Sequence, residues 1–248
     1  MNKFIYQNKS FFLKTKRFFN KTFGIEIQKY PTAELFRRKK LLEHYNIDVI
    51  LDVGANIGQY ATELRSIGYT GKIISFEPTK EAFKKLEKNA KSDKNWEVYN
   101  YCLGNYDGKT TINISKNSVS SSILNQLPQL TESAPDAAFI NKEEISIKKL
   151  DTVFKELGIA GKNIYLKLDT QGYEKAILDG AKELLTQTIA LQTETPLVQT
   201  YENTLSFEEM IEKLKTLNFM VYSIESGYYN QQTGKLLEVD VVFVNNNL

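Results

Sequence analysis

VILDVGANIGQYATELR, residues 49–65, decides the fold. An apolar run (Val49, Ile50, Leu51) meets an acid, Asp52, and then two glycines four apart, Gly54 and Gly58, after which a helical pattern takes over. A strand that turns tightly through glycines into a helix is the unit from which parallel sheets and their ligand sites are built.

Working outward, the same alternation repeats. A helix over Thr32–Tyr45 precedes the strand Asp48–Val53, and the helix after the glycine turn runs to about Ile67. KIISFEP (72–78) reads as a second strand, TKEAFKKLEKNAK (79–91) as an amphipathic helix and WEVYNYCLG (96–104) as a third strand. KTTINIS (109–115) and EEISIKKL (143–150) read as short strands around an irregular stretch, 116–140. NIYLKLD (163–169) is a buried strand followed by helical YEKAILDGAKELL (173–185); TIALQTE (188–194) and SFEEMIEKLKTLN (206–218) repeat the pair. FMVYSIES (219–226) and LEVDVVFV (237–244), joined by the turn-like GYYNQQTGK, read as an antiparallel pair. The expectation is an α/β fold with a doubly wound, mostly parallel sheet of about seven strands and an antiparallel last strand. The domain occupies 32–248, behind a separate segment, 1–31.

That first segment differs in composition. Residues 1–40 hold eleven Lys or Arg and two acids, whereas the remainder holds 21 basic and 28 acidic residues, so a formal charge of +2 hides a basic arm on an acidic domain. Phe4 with Ile5, Phe11 with Phe12 and Phe18 with Phe19 recur every seven positions with lysines between them. This is one apolar stripe on a helix flanked by positive charge. Two readings stand for it: packing on the protein's own body or on a second copy in a homodimer, and peripheral contact with a membrane surface through residues 1–30.

Composition also excludes. No apolar run is long enough to cross a bilayer, and the N-terminus lacks a secretory apolar centre. A single cysteine, Cys102, rules out an internal disulfide and a Cys-rich zinc site; the single histidine, His44, rules out His-pair metal sites. Acid–base work therefore falls to carboxylates, lysine or tyrosine, and the expected compartment is the cytoplasm, at the inner face of the membrane if the arm binds there.

Ligands of open parallel sheets bind at the carboxyl ends of the strands, where Asp52–Gly58 lies. A nicotinamide fingerprint would place glycines where this chain has Gly54, Asn56 and Gln59, so a side chain stands where a pyrophosphate must come closest. No Gly-Lys-Ser/Thr phosphate loop follows. Glu77, ending the second strand, can hold both hydroxyls of a ribose. Asp52, Gly54-x-Asn56-x-Gly58 and Glu77 together suit S-adenosylmethionine; the alternative is a glycine turn serving strand–helix packing alone.

DVGANIGQYATELR, SFEP, LGNYDG, NSVSSSIL, LDT, LKLDTQGYEKAILDGA and VDVVFV, in that order over roughly residues 48–244, resemble the FkbM-type methyltransferases. These are class I, Rossmann-like, S-adenosylmethionine-dependent enzymes, mostly O-methyltransferases. The resemblance implies that Gly54, Ala55, Asn56 and Gly58 line the methionine portion of the donor, with Asp52 nearby and Gln59 and Tyr60 starting the covering helix. It implies that Glu77 holds the ribose, that Pro78 shapes the following turn, and that Cys102 and Leu103 border the adenine.

For the acceptor, Asp169 ends the strand beside the donor strand, as a proton acceptor or an orienting partner, or else as a helix cap. Glu194 ends the next strand as a second acidic wall, and Gln171 can hydrogen-bond either substrate. Two carboxylates could hold a divalent metal, but no dense acidic pair is present and no obligatory metal is expected. Ser120, Ser121 and Ser122, in the irregular stretch, offer hydroxyls to an acceptor. The expected acceptor is a hydroxyl of a sugar or glycan, lipid-linked or destined for a surface polysaccharide. A polyketide or other natural product is the second choice, and a non-catalytic cofactor-binding module the third. Nucleic acid is not expected, because the basic charge is confined to the arm and the presumptive cleft carries acids.

Overall fold

The computed structural model describes residues 9–247; Phe4 and Ile5 of the apolar stripe lie outside them. Two compact units are distinguished, one up to Arg38 and one from Lys39 onward.

In the first unit, helix α1 (Lys9–Phe23) carries no acid in its first turn and Lys21 in its last. It ends at Gly24, whose left-handed φ of 65° lets the amides of Gly24 and Ile25 bond back to the carbonyls of Asn20 and Phe19, a glycine C-cap. Helix α2 (Ala33–His44) follows, and the boundary between the units falls inside it rather than before it.

The second unit contains a seven-stranded sheet. Strands β1 (Val49–Val53), β2 (Lys72–Phe76) and β3 (Trp96–Tyr99) alternate with helices α3 (Gln59–Ser66) and α4 (Lys80–Ala90). A smaller sheet comprises β4 (Cys102–Gly104), β5 (Gly108–Ser115) and β6 (Phe139–Lys149). Then come α6 (Leu150–Leu157), β7 (Ile164–Leu168), α7 (Glu174–Asp179), α8 (Lys182–Leu185), β8 (Thr188–Pro196), α9 (Phe207–Thr216), β9 (Phe219–Ser226) and β10 (Glu238–Asn245), with a short α5 (Pro128–Ser133) ahead of β6. The large sheet has the order β3-β2-β1-β7-β8-β10-β9. β1 pairs in parallel with β2 and β7, and only β10 runs antiparallel to its neighbours. β1 and β7 are buried at every position, as strands covered on both faces must be. This is the expected doubly wound sheet, and the order reverses direction at β1, where a ligand crevice opens beyond the strand ends.

Three details differ from the sequence reading. WEVYNYCLG is not one strand: the chain leaves the large sheet after Tyr99 and enters the small one at Cys102, where β4 pairs with β6. Asn100 holds the crossing point by donating to the carbonyls of Glu77 and Pro78, a side-chain clamp that periodicity does not encode. The helix expected over 173–185 is broken at Gly180, where β4 passes so close that a Cβ would lie 2.0 Å from the Gly104 carbonyl oxygen. The new helix α8 starts where Asp151 accepts the amides of Glu183 and Leu184. The irregular stretch contains α5 and one 3-10 turn, and is tied to the body by backbone bridges from Ser122 to Asn113 and from Gln126 to Tyr201. Among the described residues no helix is long and apolar enough to cross a membrane.

Candidate active site

The turn after β1 is set by close packing. Gly54 has φ 79°, and a Cβ there would sit 1.8 Å from the Asp169 carbonyl oxygen; at Gly58, φ 91°, it would meet the Trp96 ring at 2.6 Å. Only glycine allows both the left-handed backbone and these approaches. Asn56 also takes a positive φ, 47°, which Asn tolerates because its side chain bonds locally: its Oδ1 accepts the Ile57 amide at 2.9 Å. Ala55 is buried, its amide and that of Gly54 bonding the Phe76 carbonyl.

Glu77 stands across from this turn. Its Oε2 accepts the Asn56 amide at 2.9 Å, and its Oε1 accepts the Thr79 amide at 2.8 Å and the Thr79 hydroxyl. Burial pushes its pKa up despite these bonds. The turn after β1 and the acid after β2 are therefore locked to one another. Pro78 follows, its carbonyl held by Asn100 at 3.0 Å. Cys102 opens β4 in the small sheet instead of ending β3; its thiol donates to the Ser146 carbonyl, and burial pushes it up to about 12, which leaves a packing group and no thiolate. Leu103 is fully buried in the main core. Gln59 and Tyr60 begin α3. The Gln59 Oε1 accepts the Ile57 amide at 3.2 Å, and the Tyr60 hydroxyl donates to Gln192 Oε1 at 2.9 Å, as does that of buried Tyr165.

Beneath the turn runs a buried polar chain. Trp96 Nε1 donates to Ser75 Oγ, and Ser75 Oγ donates to Asp52 Oδ2, each at 2.9 Å. Asp52 Oδ1 is fully buried without a hydrogen bond of normal length; its cation is the ammonium of Lys167 at 3.4 Å. Lys167 lies opposite Asp52 in the parallel register of β1 and β7, 3.3 Å from Asp169 Oδ2 and 3.3 Å from the Gly54 carbonyl. Its ammonium also sits over the Tyr60 ring, 5.4 Å from the centroid. Burial, the largest single influence, pulls its pKa down, but Asp169, Asp52 and Asp240 together hold it above the ordinary lysine value. One buried cation thus ties the donor turn to the acid that ends β7. Sequence reasoning missed Lys167. Its signal was the single charge in the otherwise apolar NIYLKL, two residues before Asp169 and so on the same face of the strand.

On the acceptor side, Asp169 and Glu194 are brought together by Gln171. The Gln171 Nε2 lies 3.2 Å from Asp169 Oδ1 and 2.7 Å from Glu194 Oε2, and Gln171 adopts a left-handed φ of 55° to do so. Its Oε1 faces the Tyr201 hydroxyl at 2.8 Å. Asp169 is not the helix cap: the amides of Thr170 and Gly172 and the Thr170 hydroxyl go to buried Glu174. Asp169 keeps a side chain 40 % exposed. Glu194 retains some surface yet is surrounded by protein, and burial, then the charges of Glu238, Asp169, Asp240 and Glu174, raise its pKa well above the ordinary carboxylate range. Glu238 is raised for the same first reason and accepts the Thr200 hydroxyl at 2.9 Å. Glu174, Glu238, Gln192 and Tyr201 were not singled out from the sequence, because nothing local marks them; only the fold brings them to this end of the sheet.

The three serines of the irregular stretch bond inward. Ser122 is buried and donates to the Gln171 carbonyl at 2.8 Å, Ser121 Oγ donates to the Ser118 carbonyl, and buried Ser120 accepts from Asn117 Nδ2. They brace the loop against the Gln171 turn, and Asn56 Nδ2 reaches the same loop at Ser118 Oγ, 3.4 Å away.

The residues present fit a cationic nucleoside donor. Glu77 is fixed at the end of β2 where ribose hydroxyls can be accepted, and Asp52 with partly exposed Asp169 outnumbers Lys167, so the crevice suits a positive group. An anionic pyrophosphate would meet like charge.

The family profile described as methyltransferase FkbM domain matches residues 52–221. Comparison with curated proteins returns no match at the stringency applied. Among solved structures, the chain is similar to a S-adenosylmethionine-dependent methyltransferase from Clostridium acetobutylicum, at 10% identity over 94% of this chain and 98% of that one, with a TM-score of 0.45. It is also similar to TehB from Haemophilus influenzae (10% identity, 93% and 67% of the chains, TM-score 0.47). Fibrillarin from Aeropyrum pernix, solved with natively bound S-adenosyl-L-methionine, matches at 12% identity over 79% and 66% of the chains, with a TM-score of 0.45.

Proposed function

The chain belongs to the FkbM methyltransferase family and is a S-adenosylmethionine-dependent methyltransferase; from that premise we propose that it methylates a hydroxyl oxygen of a sugar or glycan. The observation that carries this reading is the pair of carboxylates, Asp169 and Glu194, bridged by the Gln171 amide beside the donor turn. Vicinal hydroxyls are recognised by closely spaced carboxylate oxygens, which accept from each O–H, and a neutral polyol tolerates an acidic wall.

When bound, the donor supplies a methyl group already activated by sulfonium charge. The protein's own residues then have two tasks. Glu77 would hold the nucleoside end and the 54–58 turn would line the methionine end, while Tyr60 and Lys167 keep that turn in register with β7. Asp169, partly exposed at the end of β7, accepts the proton of the acceptor hydroxyl as the oxygen–carbon bond forms, and Gln171 with Glu194 orients that hydroxyl. Alignment of this kind lowers a barrier by about 7 kcal/mol or more in the best cases, and a positioned base contributes about 10²–10⁴-fold.

The test is release of S-adenosylhomocysteine from the purified protein against a panel of mono- and oligosaccharides, free and lipid-linked, beside a panel of phenolic and polyketide alcohols, with product mass spectrometry. Methyl transfer to a carbohydrate oxygen supports the reading. Transfer confined to the second panel would replace the acceptor class and keep the site. No transfer to any hydroxyl, with donor binding intact, would overturn oxygen methylation.

A further inference from the structure

Helix α1 has no place in the chemistry above. Its fifteen residues, KSFFLKTKRFFNKTF, contain five phenylalanines, five lysines or arginines and no acid. At 100° per residue, Phe11, Phe18, Phe12, Phe19 and Phe23 fall within one arc, with only Thr15 and Thr22 between them. The rings touch in two groups along that arc: Phe18 and Phe23 have centroids 6.1 Å apart and Phe19 and Phe23 5.8 Å, and Phe11 and Phe12 6.1 Å. Lys14, Arg17 and Lys21 project from the opposite face, three and four residues apart. Lys16, at the border, pairs with Glu26 at 2.9 Å.

Phe11, Phe18 and Phe23 are 67%, 58% and 58% exposed. An aromatic stripe left in water is unfavourable and marks a contact surface. A polar helix face carrying only positive charge argues about the occupant. A second copy of the helix would bring like charges together, whereas an anionic lipid surface would receive the rings in its acyl boundary and the cations at its headgroups. At fifteen residues α1 is too short to span a bilayer but suits lying in the interface plane.

We propose that α1 is an interfacial helix that docks the protein on anionic membrane surfaces, with Phe11, Phe12, Phe18, Phe19 and Phe23 inserted and Lys14, Arg17 and Lys21 facing the headgroups. This inference does not depend on the acceptor class.

The experiment is co-sedimentation of the full chain with phosphatidylcholine vesicles and with vesicles containing about one-third phosphatidylglycerol, at low and at high salt. Wild type should partition onto the anionic vesicles only, and release should follow as salt shortens the screening length from about 10 Å at 0.1 M to about 3 Å at 1 M. Replacing Lys14, Arg17 and Lys21 together by Gln should weaken partitioning on the order of a hundredfold, at about 1 kcal/mol per cation. Phe11→Ser with Phe18→Ser should abolish it. Both variants should bind S-adenosylhomocysteine in calorimetry as wild type does, which certifies the fold. Failure of wild type to bind anionic vesicles, or equal binding to neutral ones, overturns the proposal. So does a dimer in sedimentation velocity that the phenylalanine variant dissociates while no vesicle is bound, which would assign the stripe to a second copy.

Discussion

Lys167→Met tests the buried cation on which the site geometry rests. Methionine matches the length of the aliphatic stem and removes only the ammonium. Lys167 is 5% exposed and Asp52 wholly buried, so the variant leaves Asp52 Oδ1 with no cation and no hydrogen bond, while Ser75 still serves Oδ2. Asp169, partly exposed, can turn to water, so the loss concentrates on Asp52. Breaking one side of a buried pair costs about 3–5 kcal/mol, which for a chain of this size lowers the thermal midpoint by roughly 6–20 °C. The pH dependence has a definite sign. In wild type the Lys167 pKa is raised on folding, so its contribution is fully present below the unfolded lysine value, about 10.4, and is lost only as pH rises through the higher folded value. In the variant, Asp52 is left as a buried charge without its cation, the state that burial penalises most. Asp52→Asn added to Lys167→Met should recover about 1–2 kcal/mol, a coupling within the range of contacting pairs. Urea unfolding of the two single variants and the double variant, at pH 5 and pH 8, measures all of this. A Lys167→Met protein within about 1 kcal/mol of wild type at pH 8 would refute the ion-pair reasoning.

Asp169→Asn should lower turnover by about 10²–10⁴-fold while calorimetric affinity for S-adenosylhomocysteine changes little; an unaffected rate would remove Asp169 from proton transfer. Gly54→Ala should cost far more than Gly161→Ala. Both sites have φ near the same left-handed value, but only at Gly54 would the new Cβ strike backbone, at 1.8 Å, whereas nothing lies within 4 Å at Gly161. The Gly161 variant should lose only the backbone term of about 1–2 kcal/mol, so equal urea midpoints for the two would disprove the close-approach argument. Glu194→Gln should raise stability and lower activity together. The folded carboxylate has a raised pKa, so wild type loses stability as pH rises from the unfolded carboxylate value through the folded one, and the amide abolishes that loss. The acid limb of the wild-type kcat/KM profile should also lie above the ordinary carboxylate range and move on substitution; a less stable Glu194→Gln protein at neutral pH would contradict the assigned desolvation.

The parts of this fold that the sequence declared were those with local causes. VILDV, IISF and YLKL are short apolar runs bounded by turn residues, and they became the parallel centre of the sheet. Gly54 and Gly58 announced a turn because no other residue takes that backbone freely. Asp169 and Glu194 were legible as candidates because an acid at the end of an apolar strand falls at the crevice of a parallel sheet, and the fold brings the two together through Gln171. The parts that escaped had distant causes. The split between Tyr99 and Cys102 is held by an asparagine reaching two carbonyls more than twenty residues away, and the break at Gly180 falls where β4 passes too close for any side chain. The loop serines read as hydroxyls offered to an acceptor, because their partners, Gln171 and Asn117 among them, are assigned only once the chain is folded.

The same distinction explains why the site takes the form it does. Asn56, Gln171, Gly54, Gly58 and Gly172 all hold positive φ within the two turns that follow β1 and β7, a concentration of unfavourable backbone that a merely structural connection would avoid. Each departure has an identifiable return in geometry. Asn56 presents its amide to Glu77, Gln171 spans two carboxylates, Gly54 admits the Asp169 carbonyl, and Gly172 leaves room for Tyr201 and Thr204. Lys167 then joins the two turns through the Gly54 carbonyl and the Asp169 carboxylate. The turn after β1 and the acid after β7 are therefore not two features that happen to adjoin. They are one strained backbone arrangement held by a single ammonium, so a change that loosens Lys167 must be felt in donor affinity and in turnover alike.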